Sequence, residues 1–123
     1  MTDRKNRANA LKDALARRIL CIDSAFGTAV QTLALDDAAF GGAHLAGCNE
    51  NLVRTRPDLV EQIHRENLAA GADIIETFTF GSTPLVLGEY GLANVAHDIS
   101  VRATEIARRA ADAVAAPLRR GLR

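Results

Sequence analysis

Two short apolar runs set the terms for this chain: Ile19-Leu20-Cys21-Ile22, which stops at Asp23, and Ile74-Ile75, which sits between Asp73 and Glu76. Each follows a helical pattern and opens into a loop of glycine and hydroxyl residues, Ser24-Ala25-Phe26-Gly27-Thr28 in one case and Thr77-Phe78-Thr79-Phe80-Gly81-Ser82-Thr83 in the other. Runs this short, rich in β-branched residues and bounded by turn residues, read as parallel strands buried on both faces. Strands that alternate with helices predict a parallel sheet joined by helical crossovers. Two parallel strands do not make a buried sheet by themselves. A closed barrel takes about 250 residues, whereas this chain has 123. The expectation is an α/β fold: the N-terminal part of a (β/α)8 TIM barrel, with about two strands and flanking helices, incomplete as a barrel.

The helical patterns divide the chain. Leu11, Leu15 and Ile19 recur at helical spacing over residues 9–18, and a short helix is predicted over 29–35. Residues 36–51, with Gly41, Gly42 and Gly47, read as loop. Thr55 is the expected cap of the next helix, Pro57 suits its first turn, and Asp58 and Glu61 suit its positive end. Leu59, Val60, Ile63 and Leu68 supply its apolar stripe, which puts His64 on the polar side, and Gly71 ends it. A short helical piece follows Pro84, and a long one is predicted over 92–116, where Pro117 breaks it. The expected organisation is an N-terminal helix at 1–18, a partial barrel domain at 19–116 and a basic tail at 117–123.

The 15 basic and 15 acidic residues cancel overall, but residues 1–18 and 102–123 each hold a net +4 and residues 19–101 a net −8. The basic residues lie on helical patterns among Ala, Asp and Glu, which reads as solvated helix faces rather than a nucleic-acid surface. No apolar run has the length of a membrane span or a signal peptide, so no membrane partner and a cytoplasmic location are expected. Cys21 and Cys48 have neither CxxC nor Cys/His spacing, and Cys21 reads as a small core residue. His44, His64 and His97 form no pair with ligand spacing.

In a β/α barrel the chemistry lies at the carboxyl ends of the strands, which is where Asp23 and Glu76 fall. Two carboxylates in one mouth suit the ammonium group of an amino acid. Backbone N–H groups near Gly27 and the Thr28 hydroxyl suit its carboxylate. Thr79 would support the pocket, and Phe26 and Phe80 would line it. The alternative is that Asp23 and Glu76 only cap loops or helices.

Three ordered blocks bear on that choice: residues 19–28, Gly47-Cys48-Asn49-Glu50-Asn51-Leu52 with Thr55-Arg56-Pro57-Asp58, and Ile63-His64 through Ala70-Gly71-Ala72-Asp73-Ile74-Ile75-Glu76-Thr77. From about residue 18 to 111 the chain resembles the start of the homocysteine-binding domain of the homocysteine S-methyltransferase family. The resemblance implies methyl transfer to the sulfur of homocysteine, with Asp23, Phe26, Gly27, Thr28, Glu76 and Thr79 as substrate-binding residues. It also implies a zinc ion held by three cysteines, which would keep the sulfur as a thiolate; cysteines matching those positions are absent from this chain. Ser24 stands where the family has glycine. Phe78 stands where its cobalamin-dependent branch has asparagine, and the string Thr77-Phe78-Thr79-Phe80 resembles the betaine-using branch, so cobalamin and other methyl donors stay open. The expected partners are homocysteine and a polypeptide that supplies the remaining strands. The isolated chain is expected to be inactive. The competing expectations are a non-catalytic interaction subunit or a truncated product.

Overall fold

The computed structural model describes residues 2–120, and the side chains of residues 3–115. Helices dominate: α1 (Thr2–Arg17), α2 (Phe26–Thr32), α3 (Asp37–Phe40), α4 (Leu52–Thr55), α5 (Pro57–Ala69), α6 (Pro84–Gly88) and α7 (Ala96–Arg120), with single 3-10 turns at Ala43–Leu45, Asn49–Asn51 and Ala93–Val95.

The expected two-stranded part of a TIM barrel is not seen. Among the described residues there is no strand, sheet or barrel; the two apolar runs meet at one isolated parallel bridge, Ile22 to Ile74. The physical reason lies in the ladder. A strand is defined by repeated pairing with neighbours, and these runs find only each other. Ile19 is 91% exposed, Ile22 58% exposed, and Cys21 is exposed rather than in the core.

Polar contacts fix that single crossing. The Asp23 N–H donates to the Ile74 carbonyl at 3.0 Å, and the Asp73 and Ile74 N–H groups both donate to the Cys21 carbonyl, at 2.9 and 3.2 Å. Arg18 grips the Asp73 carboxylate with both terminal nitrogens, at 2.7 and 2.9 Å, while the Cys21 N–H donates to the same carboxylate at 3.0 Å. This fork holds the Asp73 carboxyl down at about 2, chiefly through the Arg18 hydrogen bonds and then the Cys21 N–H. Because the folded value lies below the ordinary 3.8, the contribution to stability is complete above that pH and is lost as pH falls towards 2. Asp73→Asn is expected to remove this acid-dependent component and to speed amide exchange at Asp23 and Ile74. Unchanged exchange at both amides would contradict the clamp.

The core forms where α5 crosses α7, with α4 against both. Val60 and Ile63 of α5 and Ile99, Ala103, Ile106 and Ala110 of α7 are buried; the latter fall at i, i+4, i+7 and i+11, one face of a helix. Alanines along that face let the two helices approach closely. Leu52, Leu87, Phe40 and Cys48 complete the cluster from the shorter elements.

The helix ends show which local signals operate. Gly71 does end α5, at φ +108°, with its N–H on the Leu68 carbonyl and the Ala72 N–H on the Asn67 carbonyl, a Schellman arrangement. Thr55 does not cap α5: its hydroxyl donates back to the Asn51 carbonyl at 3.3 Å, and Arg56 occupies the cap position without a side-chain bond to the helix N–H groups. The predicted loop at 36–51 contains α3, capped by Asp36 Oδ1 accepting from the Ala39 N–H at 3.0 Å. α7 runs on to Arg120 through Pro117, where the ring removes one N–H donor without ending the helix. Residues 121–123 of the expected basic tail lie outside the described residues.

Candidate functional site

Three stretches of chain converge on a cleft of about 510 Å³: residues 23–27, the pair Asn49 and Glu50, and Glu76 with Thr77, Phe78 and Phe80. Two acidic side chains join the stretches. Asp23 Oδ2 accepts the Glu76 N–H at 3.1 Å, which adds to the bond from its own N–H to Ile74. Glu50 Oε1 accepts the Gly81 N–H at 2.9 Å. A Cβ at 81 would lie 2.8 Å from that Glu50 oxygen and 3.2 Å from Val86 Cγ1, so a side chain there would push the Glu50 carboxylate from its place.

Helix α5 forms the support beneath. Its Asn67 turns its Nδ2 onto the Ile63 carbonyl at 3.0 Å and presents Oδ1 to the Ser24 hydroxyl at 3.1 Å. Ser24, one of the lining residues, therefore has its hydroxyl fixed on a specific acceptor. One turn earlier, His64 meets the Phe26 ring edge-on, with centroids 4.9 Å apart and planes at 74°. Phe26 in turn stacks on Phe78 at 4.1 Å and 23°. These two rings are the apolar wall of the cleft, and the exposed Phe80 stands at its rim.

Of the residues singled out from sequence, the cleft brings together Asp23, Phe26, Gly27, Glu76 and Phe80. Thr28 and Thr79 lie outside the lining, although Thr79 shares a 2.8 Å hydroxyl–hydroxyl bond with the lining residue Thr77. Asn49, Glu50, Thr77 and Phe78 were not among the predicted substrate-binding residues. The signal for Asn49 and Glu50 was present in the 47–52 block, where polar residues flank a Cys48 that is buried.

His64 departs most from its expected place. It is 0% exposed, rather than on the polar side of its helix, and neither ring nitrogen has a hydrogen-bond partner. Burial pushes its pKa down from the ordinary 6.5, outweighing the opposite pull of the Asp23 and Glu61 carboxylates. A buried polar atom without a partner costs about 1–3 kcal/mol, so the imidazole occupies this place against a penalty.

The lining chemistry is specific. Three carboxylates (Asp23, Glu50 and Glu76) face a cleft whose lining holds no Lys or Arg, opposite a phenyl wall. A ligand with one ammonium group and a short apolar chain suits both sides; the backbone N–H groups of residues 25–27 suit an anionic group beside it, since Ala25 offers no side-chain cap and the Ser24 N–H is directed at Asn67 Oδ1 at 3.5 Å. The zinc ion implied by the family resemblance does not fit the residues present. No three His, Cys, Asp or Glu side chains among the described residues stand together as a ligand set, and Cys21 is exposed while Cys48 is buried. A larger groove of about 710 Å³ runs along α7 from His97 to Asp112, but it is an open surface of one helix without converging polar groups.

Residues 20–121 match the homocysteine S-methyltransferase family. The chain is 49% identical over 109 residues to a methionine synthase of Mycobacterium leprae, a match covering 87% of this chain and 9% of the relative. It is 47% identical over 112 residues to a methionine synthase of Mycobacterium tuberculosis, covering 89% and 9%. The chain thus spans about a tenth of the length of these relatives. No helix among the described residues is long and apolar enough to cross a membrane.

Proposed function

The chain belongs to the homocysteine S-methyltransferase family, and from that premise we propose that the cleft at Asp23 and Glu76 binds the amino-acid end of homocysteine for methylation at its sulfur, giving methionine. The observation that carries the reading is the pairing of three carboxylates with a stacked phenyl wall in one cleft. The substrate ammonium lies with Asp23 and Glu76, as charge-assisted hydrogen bonds require. Its carboxylate takes the N–H groups around Gly27, and its two methylenes pass along Phe26 and Phe78. Thr79 acts through Thr77, and Thr28 stands behind Gly27. The sulfur is carried outward past Phe80, where it takes the methyl group and loses its proton. Activation of the thiol and supply of the methyl group, whether from cobalamin or another donor, are assigned to groups outside the described residues.

A polypeptide partner or further protein segment belongs to the same proposal. It is supported by the exposure of Ile19, Ile22, Phe80 and Leu85, large apolar side chains of the kind that interfaces cover. If that covering surface carries all the chemistry, this chain is the binding subunit rather than an enzyme by itself.

Calorimetric titration of the full chain with L-homocysteine tests the reading. One saturable site is expected, with binding lost for the analogue in which the amine is acetylated. Equal binding of the acetylated compound would contradict the ammonium assignment.

A further inference from the structure

The residue that the proposed function leaves unused is His64. It projects from the buried stripe of α5, between Ile63 and Asn67, and so lies under the same loop that Asn67 holds through Ser24. Its one recorded ring contact is the edge-on meeting with Phe26, the residue that opens α2 and stacks on Phe78. Two unpartnered nitrogens in a sealed place do not stabilise the fold through hydrogen bonds. What the imidazole contributes there is shape and a ring edge against a ring.

We propose that His64 is a positioning residue of the cleft: the neutral imidazole holds Phe26 against Phe78, and protonation of the ring releases that wall. An imidazolium needs an acceptor at both nitrogens, and no protein atom accepts from either in this fully buried place. The charged groups around it are few. Asp23 acts from the loop before α2. Glu61 acts from its own helix, but that carboxylate is already held by Arg65 at 2.8 Å and by Arg109 of α7 at 2.9 Å. The other anion, Asp23, is held only by the Glu76 N–H at 3.1 Å, and an Asp23 drawn towards His64 leaves that N–H and the cleft. Protonation would thus disturb both the apolar wall and one of the carboxylates.

The link to affinity rests on the proposed homocysteine reading; the link between His64 and Phe26 does not. Two measurements separate them. In the free chain, side-chain NMR of His64 against pH should show a titration below the ordinary histidine value of 6.5, with the Phe26 and Phe78 ring signals moving along the same curve. Ring signals that ignore the His64 titration, or a His64 that stays neutral down to about pH 5 while Phe26 moves, would overturn the proposal. In the second measurement, L-homocysteine affinity should weaken by about three- to tenfold from about pH 7 to pH 5, and His64→Leu, which has no titrating ring, should flatten that profile whatever its affinity at neutral pH. A His64→Leu chain with the same pH profile as the parent would also overturn it. If homocysteine does not bind at all, the substrate reading fails and the NMR curve alone decides the positioning role. If His64→Leu does not fold, the NMR curve of the parent chain decides it likewise.

Discussion

Replacing Ile99 by alanine is expected to lower the free energy of unfolding by about 2–5 kcal/mol, the range for deleting a buried aliphatic side chain when the surroundings cannot collapse. Ile99 is 0% exposed on the α7 face that meets α5, with Val60 and Ile63 across from it. Its neighbours along that face, the buried Ala96 and Ala103, are too small to move into the space. Domains of this kind are stable by only about 5–15 kcal/mol, so one such change removes a large share. Val101 provides the control on the same helix. It is 42% exposed, and Val101→Ala should lie within about 0.5 kcal/mol of the parent, since surface substitutions do little and alanine favours helix. Urea titrations of both variants, followed by far-ultraviolet circular dichroism, give the comparison. Equal midpoints would mean that α5 and α7 do not pack as described.

The second large effect is on binding. Asp23→Ala is expected to weaken L-homocysteine binding by about 10- to 100-fold, the equivalent of one hydrogen bond to a charged group at about 1.5–3 kcal/mol. Asp23 has two functions in the geometry, since its Oδ2 also accepts the Glu76 N–H at 3.1 Å. Asp23→Asn separates them: its amide oxygen keeps that acceptor and removes the charge. Asp23→Asn should therefore retain the position of Glu76 and lose most of the affinity, whereas Asp23→Ala loses both. Calorimetric titration gives the affinities, and the Glu76 amide resonance reports its position. Full affinity in Asp23→Asn would show that the carboxylate is a loop clasp and that the ammonium lies elsewhere.

The helical half of the fold could be read from the sequence because its signals are local. Pro57 and Asp58 at one end of α5 and Gly71 at the other act within a turn of themselves, and the Schellman bonds at Leu68 and Asn67 follow from a glycine at φ +108°. The barrel could not be supported by the same means. Ile19-Leu20-Cys21-Ile22 has strand composition, but a strand is realised only by its neighbours, and the described residues give it one bridge to Ile74. The error at His64 has a different origin. At about 100° per residue, position 64 lies between Val60 and Leu68, inside the apolar stripe, and only the polarity of its ring argued for the other side. The structure buries 60, 63 and 64 together and leaves Leu59 and Leu68 half-covered.

The candidate site was partly visible for the same reason. Asp23, Phe26, Gly27 and Glu76 lie next to the bridge, so placing the two runs side by side places them too. Glu50 reaches the cleft from a separate loop, through a bond to Gly81 that spans 31 positions in the chain. Nothing local at residue 50 announces that partner.

The central claim is that one cleft holds the ammonium end of homocysteine against Asp23 and Glu76, with its chain along Phe26 and Phe78. A titration of the isotope-labelled full chain with L-homocysteine, followed residue by residue in amide NMR spectra, tests it most directly. Saturable shifts are expected at residues 23–27, at Glu50 and Gly81, and at residues 76–80, with the α7 groove between His97 and Asp112 unmoved. Saturable shifts confined to that groove, or none in the cleft at saturation, would contradict it.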